Sequence, residues 1–339
     1  MRKSGILIKI YICLLSFSLF ALMGCSGEST DLTDNQSAEK QTMEMQMPEE
    51  TLQAEEPSID SISQPTDTLA DEMEEEEETE TEAAPVMIEV DWSEYFDEYN
   101  GAAVIYDTTE NCYQIYNQEL ADTRRSPCST FKIISSLIAL EEGIIETDNS
   151  TRAWSGEIFW NEDWNRDIDF TDAFHSSCVW YFREVIDEIG RDAIQEGLNK
   201  LQYGNCDISD WEGRLNTNNS NPVLTGFWIE SSLLISPKEQ TEVMERIFGN
   251  QTDYAEETLN QLKQVMLLTE QSETDISIYG KTGMGKAHGI VVDAWFTGFA
   301  DKADKRIYFC VYLGENENSD VSSARAREIA IKIVSDYLG

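Results

Sequence analysis

Ser129-Thr130-Phe131-Lys132-Ile133-Ile134-Ser135-Ser136-Leu137-Ile138-Ala139-Leu140 is the stretch from which the rest of the chain can be read. Ile133, Ile134, Leu137, Ile138 and Leu140 recur at helical spacing and the pattern stops at Gly143, so this is a helix with Ser129 at its N-terminus. Residues three apart share a helix face, which brings the Lys132 amine beside the Ser129 hydroxyl that it can deprotonate. Free N–H groups at the helix start also stabilise negative charge developing there. Taken alone, Ser-x-x-Lys is a weak signal, because it recurs by chance in many chains.

Upstream, Ala102 to Tyr106 and Tyr113 to Tyr116 are β-rich runs flanking Asp107-Thr108-Thr109-Glu110-Asn111, which reads as a hairpin. Downstream, Ser236-Pro237-Lys238-Glu239 places a capping Ser, a Pro in the first helical position and a Glu where a capping box needs it, so a helix starts there. Ser277 to Tyr279, Ala294 to Phe299 and Ile307 to Leu313 read as strands, and Ala326, Ile329, Ala330, Ile333, Val334 and Tyr337 form one apolar stripe of a last helix. Strands at both ends of the folded part and helices between them predict an α+β fold. The two ends share one antiparallel sheet, covered by the closing helix and by a mostly helical subdomain.

The chain has 339 residues, a net charge of −41, eight Trp and thirteen Tyr. That is apolar material enough for one large domain, and far too acidic a balance for a nucleic-acid partner, which needs a Lys/Arg surface. The start has a basic Arg2-Lys3 and an apolar run from Ile10 to Met23, the anatomy of a secretory signal. Leu22-Met23-Gly24-Cys25 resembles the lipobox of bacterial lipoproteins, which implies cleavage after 24 and lipid on Cys25. From Ser26 to Val86 twenty acids face one base, with Glu74 to Glu78 as a pure acidic run, so this stretch cannot bury enough surface to fold. The expected organisation is a signal peptide at 1–24, a lipidated Cys and disordered acidic tether at 25–88, and a catalytic domain at 89–339. It implies an extracytoplasmic, membrane-anchored lipoprotein.

Lys281-Thr282-Gly283 follows a strand-like run, and Gly283 and Gly285 let backbone approach a ligand closely. A Lys-Thr-Gly on a strand edge offers an ammonium, a hydroxyl and main-chain hydrogen bonds to a carboxylate-bearing substrate. Ser-x-x-Lys followed about 150 residues later by Lys-Thr-Gly is the pairing found in serine β-lactamases and penicillin-binding proteins. Between them stand Ser177-Cys178-Val179, Tyr203-Gly204-Asn205 and Phe227-Trp228-Ile229-Glu230. These resemble the Ser-x-Val, Tyr-Gly-Asn and Trp motifs of the class D (OXA-type) serine β-lactamases, and Trp295-Phe296-Thr297-Gly298-Phe299 agrees.

The resemblance implies roles for the matching positions. Ser129 attacks the β-lactam carbonyl, Ser177 relays protons toward the leaving nitrogen, and Lys281 and Thr282 hold the substrate carboxylate side. Gly283 lies in the same strand edge, and the N–H groups of Ser129 and Met284 form an oxyanion hole. Arg327 is the family's carboxylate-binding arginine, with Arg325 as the alternative. Lys132 is N-carboxylated by carbon dioxide or bicarbonate, Trp228 donates to the carbamate, and Val179 and Ile229 roof it. A lysine near its ordinary pKa of about 10.4 is protonated at neutral pH, so apolar surroundings must keep Lys132 neutral before it can react; a plain lysine sharing its proton with Ser129 is the alternative. Met284 departs from the aromatic residue frequent at its position.

Other residues get structural readings. His175 and His288 are isolated, and Cys112, Cys128, Cys178, Cys206 and Cys310 lack zinc spacing, so no metal and no further cofactor is expected. Cys128 and Cys178 are read as small buried residues, and Trp160, Trp164 and Trp211 as the rim of a pocket. Three activities fit the motifs: hydrolysis of β-lactams, a non-hydrolysing β-lactam sensor or penicillin-binding lipoprotein that stays acylated, and a peptidoglycan D,D-peptidase. Sensors of this kind carry transmembrane helices and a signalling protease not expected here, and Trp228 with Tyr203-Gly204-Asn205 speaks against the peptidase, so hydrolysis is the expectation.

Overall fold

The computed structural model describes residues 83–146, 148, 150–214, 220–268, 275–316 and 321–339. The expected signal peptide, Cys25 and the tether up to 82 lie outside the described residues. The chain enters through strand β1 (Val86–Glu89) and the helical turn α1 (Ser93–Phe96), then forms the expected hairpin from β2 (Gly101–Asp107) and β3 (Cys112–Tyr116). After α2 (Gln118–Ala121), a 3-10 turn at Cys128–Phe131 runs into α3 (Lys132–Glu141). The middle is helical: α4 (Phe170–His175), α5 (Val179–Ile189), α6 (Arg191–Leu201), α7 (Pro237–Phe248) and α8 (Glu256–Met266). Sheet then resumes with β4 (Ile276–Ala287), β5 (Ile290–Lys302) and β6 (Lys305–Gly314), and α9 (Ser323–Leu338) closes the domain.

The sheet order is β1-β3-β2-β6-β5-β4, so the two ends of the domain meet where β2 pairs antiparallel with β6, Gly101 opposite Leu313 and Asp107 opposite Ile307. This is the α+β arrangement expected. One edge differs: β1 runs parallel to β3, Val86 opposite Cys112, so the sheet reaches back past residue 89 and is not wholly antiparallel. The acids before Val86 dominate the local composition and hide a short apolar run with strand propensity.

Side chains alternate across the sheet. Phe296, Ile307, Phe309 and Val311 pack with Ile329, Ala330 and Ile333 of α9. Phe299 and Tyr308, on the opposite face, join the core around α3 and α5. Covered on both faces, β5 and β6 are buried nearly throughout, which explains their unbroken apolar character. β4 is the outer strand, and the Lys-Thr-Gly lies inside it rather than after it. Gly283 has no Cβ because one would stand 2.8 Å from the Pro127 carbonyl and 3.0 Å from Thr130 Cγ2, so the main chain of β4 rests directly on the turn that carries Ser129.

The predicted capping box at α7 is complete: Ser236 Oγ accepts from Glu239 N at 3.2 Å, and Glu239 accepts from Ser236 N at 2.9 Å. Ser236→Ala is expected to lower the unfolding free energy by about 1 kcal/mol, read from denaturant melts, with the active site intact. A loss of only a few tenths would show that the cap is idle.

Candidate active site

Ser129 stands inside the 3-10 turn, and α3 proper begins at Lys132, three residues later than the apolar pattern suggested. The turn has this shape because its entrance is fixed from outside. Cys128 is left-handed, with φ 50°, a conformation a non-glycine residue holds only when its surroundings compel it. Its N–H donates to the Trp228 carbonyl at 2.9 Å. Ser126 Oγ donates to the same carbonyl at 3.0 Å and accepts from Glu230 N at 2.8 Å, while Trp295 Nε1 on β5 donates to the Ser126 carbonyl at 3.0 Å. Thr130 Oγ1 donates to the Pro127 carbonyl and accepts from Gln240 Nε2 of α7, each at 2.8 Å.

The expected spacing argument holds on this turn: Lys132 Nζ donates to Ser129 Oγ at 3.1 Å. Lys132 is 1% exposed, and its ammonium lies 5.1 Å from the Phe182 ring of α5. Ser177 sits between α4 and α5, again left-handed with φ 57°, and accepts from Lys281 Nζ at 2.5 Å. Lys281, 4% exposed on β4, also donates to the Thr282 carbonyl at 3.1 Å and to Thr282 Oγ1 at 3.3 Å. Sequence segments 150 residues apart thus converge on two serine–lysine pairs.

The remaining candidates distribute as follows. Trp228 is buried in the core cluster that also holds Phe131 and Phe182, while Val179, the first residue of α5, and Ile229 pack half-buried against it. Met284 follows Gly283 on β4 and is 38% exposed. Thr282, Lys281, Arg327 and His175 line a pocket of about 250 Å³ between β4, α4 and α9. Arg325 is turned elsewhere, toward Asp97 at 3.4 Å and Glu328 at 3.1 Å, with its guanidinium over the Tyr99 ring. Of the two arginines, only Arg327 lines the pocket.

Tyr203-Gly204-Asn205 acts as a strap rather than a reacting group. Asn205 Oδ1 accepts from Leu234 N at 2.9 Å and its Nδ2 donates to the Ser232 carbonyl at 2.8 Å, holding the return of the Trp228 segment. Gly204 is left-handed, and a Cβ there would stand 2.0 Å from the Leu234 carbonyl oxygen. Trp164 does not form a rim; it is buried, donating through Nε1 to the Ser176 carbonyl at 3.0 Å. Trp160 is exposed, and Trp211 stacks on Phe227. Cys128 and Cys178 are buried free thiols as expected, and no group of three or more His, Cys, Asp or Glu is placed to hold a metal among the described residues. Ser126, Phe182, Gln240 and Arg183 also shape the site, but their contacts span distant segments and leave no local pattern in the sequence.

Electrostatics follow from burial. Desolvation pulls the Lys132 pKa from 10.5 down to about 8, so that roughly a tenth of the amines are neutral at pH 7. Burial, with the Lys132 charge second, pushes the Lys281 ammonium well below its ordinary range. No acidic side chain lies within ion-pair distance of either among the described residues. A neutral amine beside a hydroxyl is a base poised to make a serine nucleophilic.

The profile described as penicillin binding protein transpeptidase domain matches residues 95–335. Regulatory protein BlaR1 of Bacillus licheniformis is 32% identical over 246 residues, which cover 72% of this chain but only 38% of that protein. The probable beta-lactamase YbxI of Bacillus subtilis (strain 168) is 30% identical over 244 residues, 71% of this chain and 82% of YbxI. Among solved structures, the C-terminal domain of the Bacillus licheniformis BlaR penicillin-receptor superposes with a TM-score of 0.64 at 30% identity, covering 75% of this chain and 98% of the other. A class D beta-lactamase from Bacillus subtilis superposes with a TM-score of 0.61 at 26% identity, covering 73% and 95%.

A lysine whose folded pKa lies below its unfolded value costs stability. The cost is fully present below about pH 8 and is relieved as pH rises from there toward 10.5. In bicarbonate-free buffer, Lys132→Met is therefore expected to be inactive yet more stable than the wild type by on the order of 3 kcal/mol at pH 7, the gain shrinking as pH approaches 10. Denaturant melts at the two pH values read this, and equal stability at pH 7 would contradict it.

Proposed function

The chain belongs to the penicillin-binding, transpeptidase-fold serine β-lactamase family, a family of β-lactam-interacting serine acyl-transferases, and on that premise we propose that it is a class D β-lactamase that hydrolyses its ligand. The observation that carries the proposal is the pair Ser129–Lys132: an amine 3.1 Å from the hydroxyl, buried, with a pKa of about 8.

Ser129 Oγ adds to the lactam carbonyl while its proton passes to the base on Lys132. The N–H groups of Ser129 and Met284 take up the developing oxyanion. The ring C–N bond then breaks, and Ser177 passes the proton on to the departing nitrogen, oriented by the Lys281 amine that donates to it. Water next adds to the acyl carbonyl and gives a proton to the same base, and Ser129 leaves with that proton to restore the enzyme. Arg327, Thr282 and Lys281 receive the substrate carboxylate in the pocket they line.

A neutral, apolar-walled amine suits reaction with dissolved carbon dioxide, which with loss of one proton supplies an anionic base at Lys132. Trp228 is the donor assigned to that anion, since an indole N–H donates without hydrating the pocket, and Val179 and Ile229 cover it. One base then serves both halves of the reaction. The identity shared with BlaR1 supports a second reading, in which the acyl group on Ser129 persists and the domain senses β-lactams. Lipid on Cys25 would hold the protein at the outer face of a membrane; labelled fatty acid is expected in the wild type and not in Cys25→Ser, and equal labelling removes the anchor.

Purified protein is expected to turn over many equivalents of nitrocefin. Degassing in acidic buffer should lower the rate about 100-fold and bicarbonate should restore it, the scale of a general base lost and regained. Ser129→Ala is expected neither to turn over nor to take a fluorescent penicillin covalently. Consumption of a single equivalent would favour the sensor, full rate without bicarbonate would remove the carboxylated lysine, and labelling of Ser129→Ala would remove the nucleophile.

A further inference from the structure

Trp228 reaches the site from a loop, so its orientation depends on what holds that loop. Thr225 lies three residues before Trp228, Trp211 packs against the same core cluster, and Arg183 on α5 reaches the main chain of both. Its Nη1 donates to the Trp211 carbonyl at 2.9 Å and to the Thr225 carbonyl at 3.5 Å. Nε and Nη2 grip the two carboxylate oxygens of Asp187 one turn along the helix, at 3.0 and 2.9 Å, and Nη2 meets Glu212 at 3.1 Å. The residue is only 7% exposed, and its guanidinium carbon lies 5.9 Å from the centre of the Trp211 ring and 6.0 Å from that of the Trp228 ring. A planar fork of five donors can bridge these carbonyls and stack on an indole together; an ammonium on a flexible stem cannot.

A second, independent feature points the same way. Gly213 and Gly226 cross so closely that a Cβ on Gly213 would stand 2.3 Å from Gly226 N, and a Cβ on Gly226 would stand 2.0 Å from the Trp228 ring. The indole therefore rests on bare backbone beside the clamped carbonyls. From there contact passes to the lysine in two steps: Trp228 stacks on Phe131 with centroids 6.0 Å apart, and Phe131 precedes Lys132. Phe182, beside the Lys132 amine, is the neighbour of Arg183 on α5.

We propose that Arg183 is a positioning residue for Trp228. By clamping the main chain at Trp211 and Thr225 it holds the indole where its N–H serves the base on Lys132, and so sets how readily carbon dioxide is retained there. The proposal rests on the carboxylated-lysine reading. Arg183 is not among the residues that line the pocket of Lys281, Thr282 and Arg327, and its effect is on the bicarbonate requirement rather than on the acylation chemistry itself.

The test is nitrocefin turnover against bicarbonate concentration for the wild type, Arg183→Lys and Gly226→Ala, with thermal unfolding measured alongside. In both variants the bicarbonate needed for half-maximal rate is expected to rise about tenfold, the scale seen when a residue orienting a metal's ligand is removed. At saturating bicarbonate the rate should return close to that of the wild type. In a Trp228→Phe background, Arg183→Lys should raise the requirement no further. Arg183→Lys that melts earlier but keeps the wild-type requirement would overturn the proposal and leave a clamp of structure only. Should Arg183→Lys yield no folded protein, Arg183→Gln decides in its place, because it keeps an amide donor for the Trp211 carbonyl and loses the fork that also reaches Thr225 and Asp187. A wild type indifferent to bicarbonate, even when Arg183→Lys is inactive, would overturn the carboxylated lysine itself and the role of Arg183 with it.

Discussion

Two amines, Lys132 and Lys281, are sealed into one site with no acidic partner among the described residues, and much of the architecture serves to keep them there. Burying an unpaired cation is opposed by lost hydration, which loosens the amine's hold on its proton so that a neutral fraction is present near neutral pH. The chemistry follows directly, since an amine that has lost its proton can take one from Ser129. An ion pair with a carboxylate would have been more stable and would have held the lysine charged and inert.

The fold supplies the rigidity this requires by drawing on both ends of the chain. The turn carrying Ser129 is fixed by hydrogen bonds from the Trp228 segment, β5 and α7, and β4 lies against it without an intervening side chain at Gly283. Strained backbone occurs at the same place: Cys128, Ser177 and Glu230, three of the ten left-handed non-glycine residues among the described residues, surround it. Such conformations cost on the order of 1 kcal/mol or more each, and a sheet packed on both faces can sustain that. A serine placed by so many independent contacts has little freedom to reorganise when a carbonyl arrives, which is the condition for efficient attack.

Much of this was legible in the sequence because it is local. The apolar spacing after Lys132 marks α3, the Ser236-Pro237-Lys238-Glu239 run marks the start of α7, and the hairpin of β2 and β3 is punctuated by its own turn residues. Less legible were features decided at a distance. Ser129 falls in a 3-10 turn whose entrance is held by the Cys128 N–H on the distant Trp228 carbonyl, and Arg183 reads as an ordinary helix arginine until the Trp211 and Thr225 carbonyls are seen to meet on it. Trp164 is core because its indole finds the Ser176 carbonyl. The different placement of Arg325 and Arg327 is likewise set by partners far along the chain, Asp97 and Tyr99 for the one and the β4 pocket for the other.

Hydrolysis differs from sensing in one physical respect, the fate of the ester on Ser129 once the lactam ring has opened. If the base beside Ser129 remains competent in the acylated protein, water completes the reaction; if it does not, the ester endures. The direct measurement is the intact mass of the protein followed in time after mixing with one equivalent of benzylpenicillin in bicarbonate buffer. On the wild type an adduct is expected to form and then disappear as hydrolysed penicillin is released, leaving free enzyme. An adduct that reaches full occupancy and persists unchanged for hours would contradict hydrolysis.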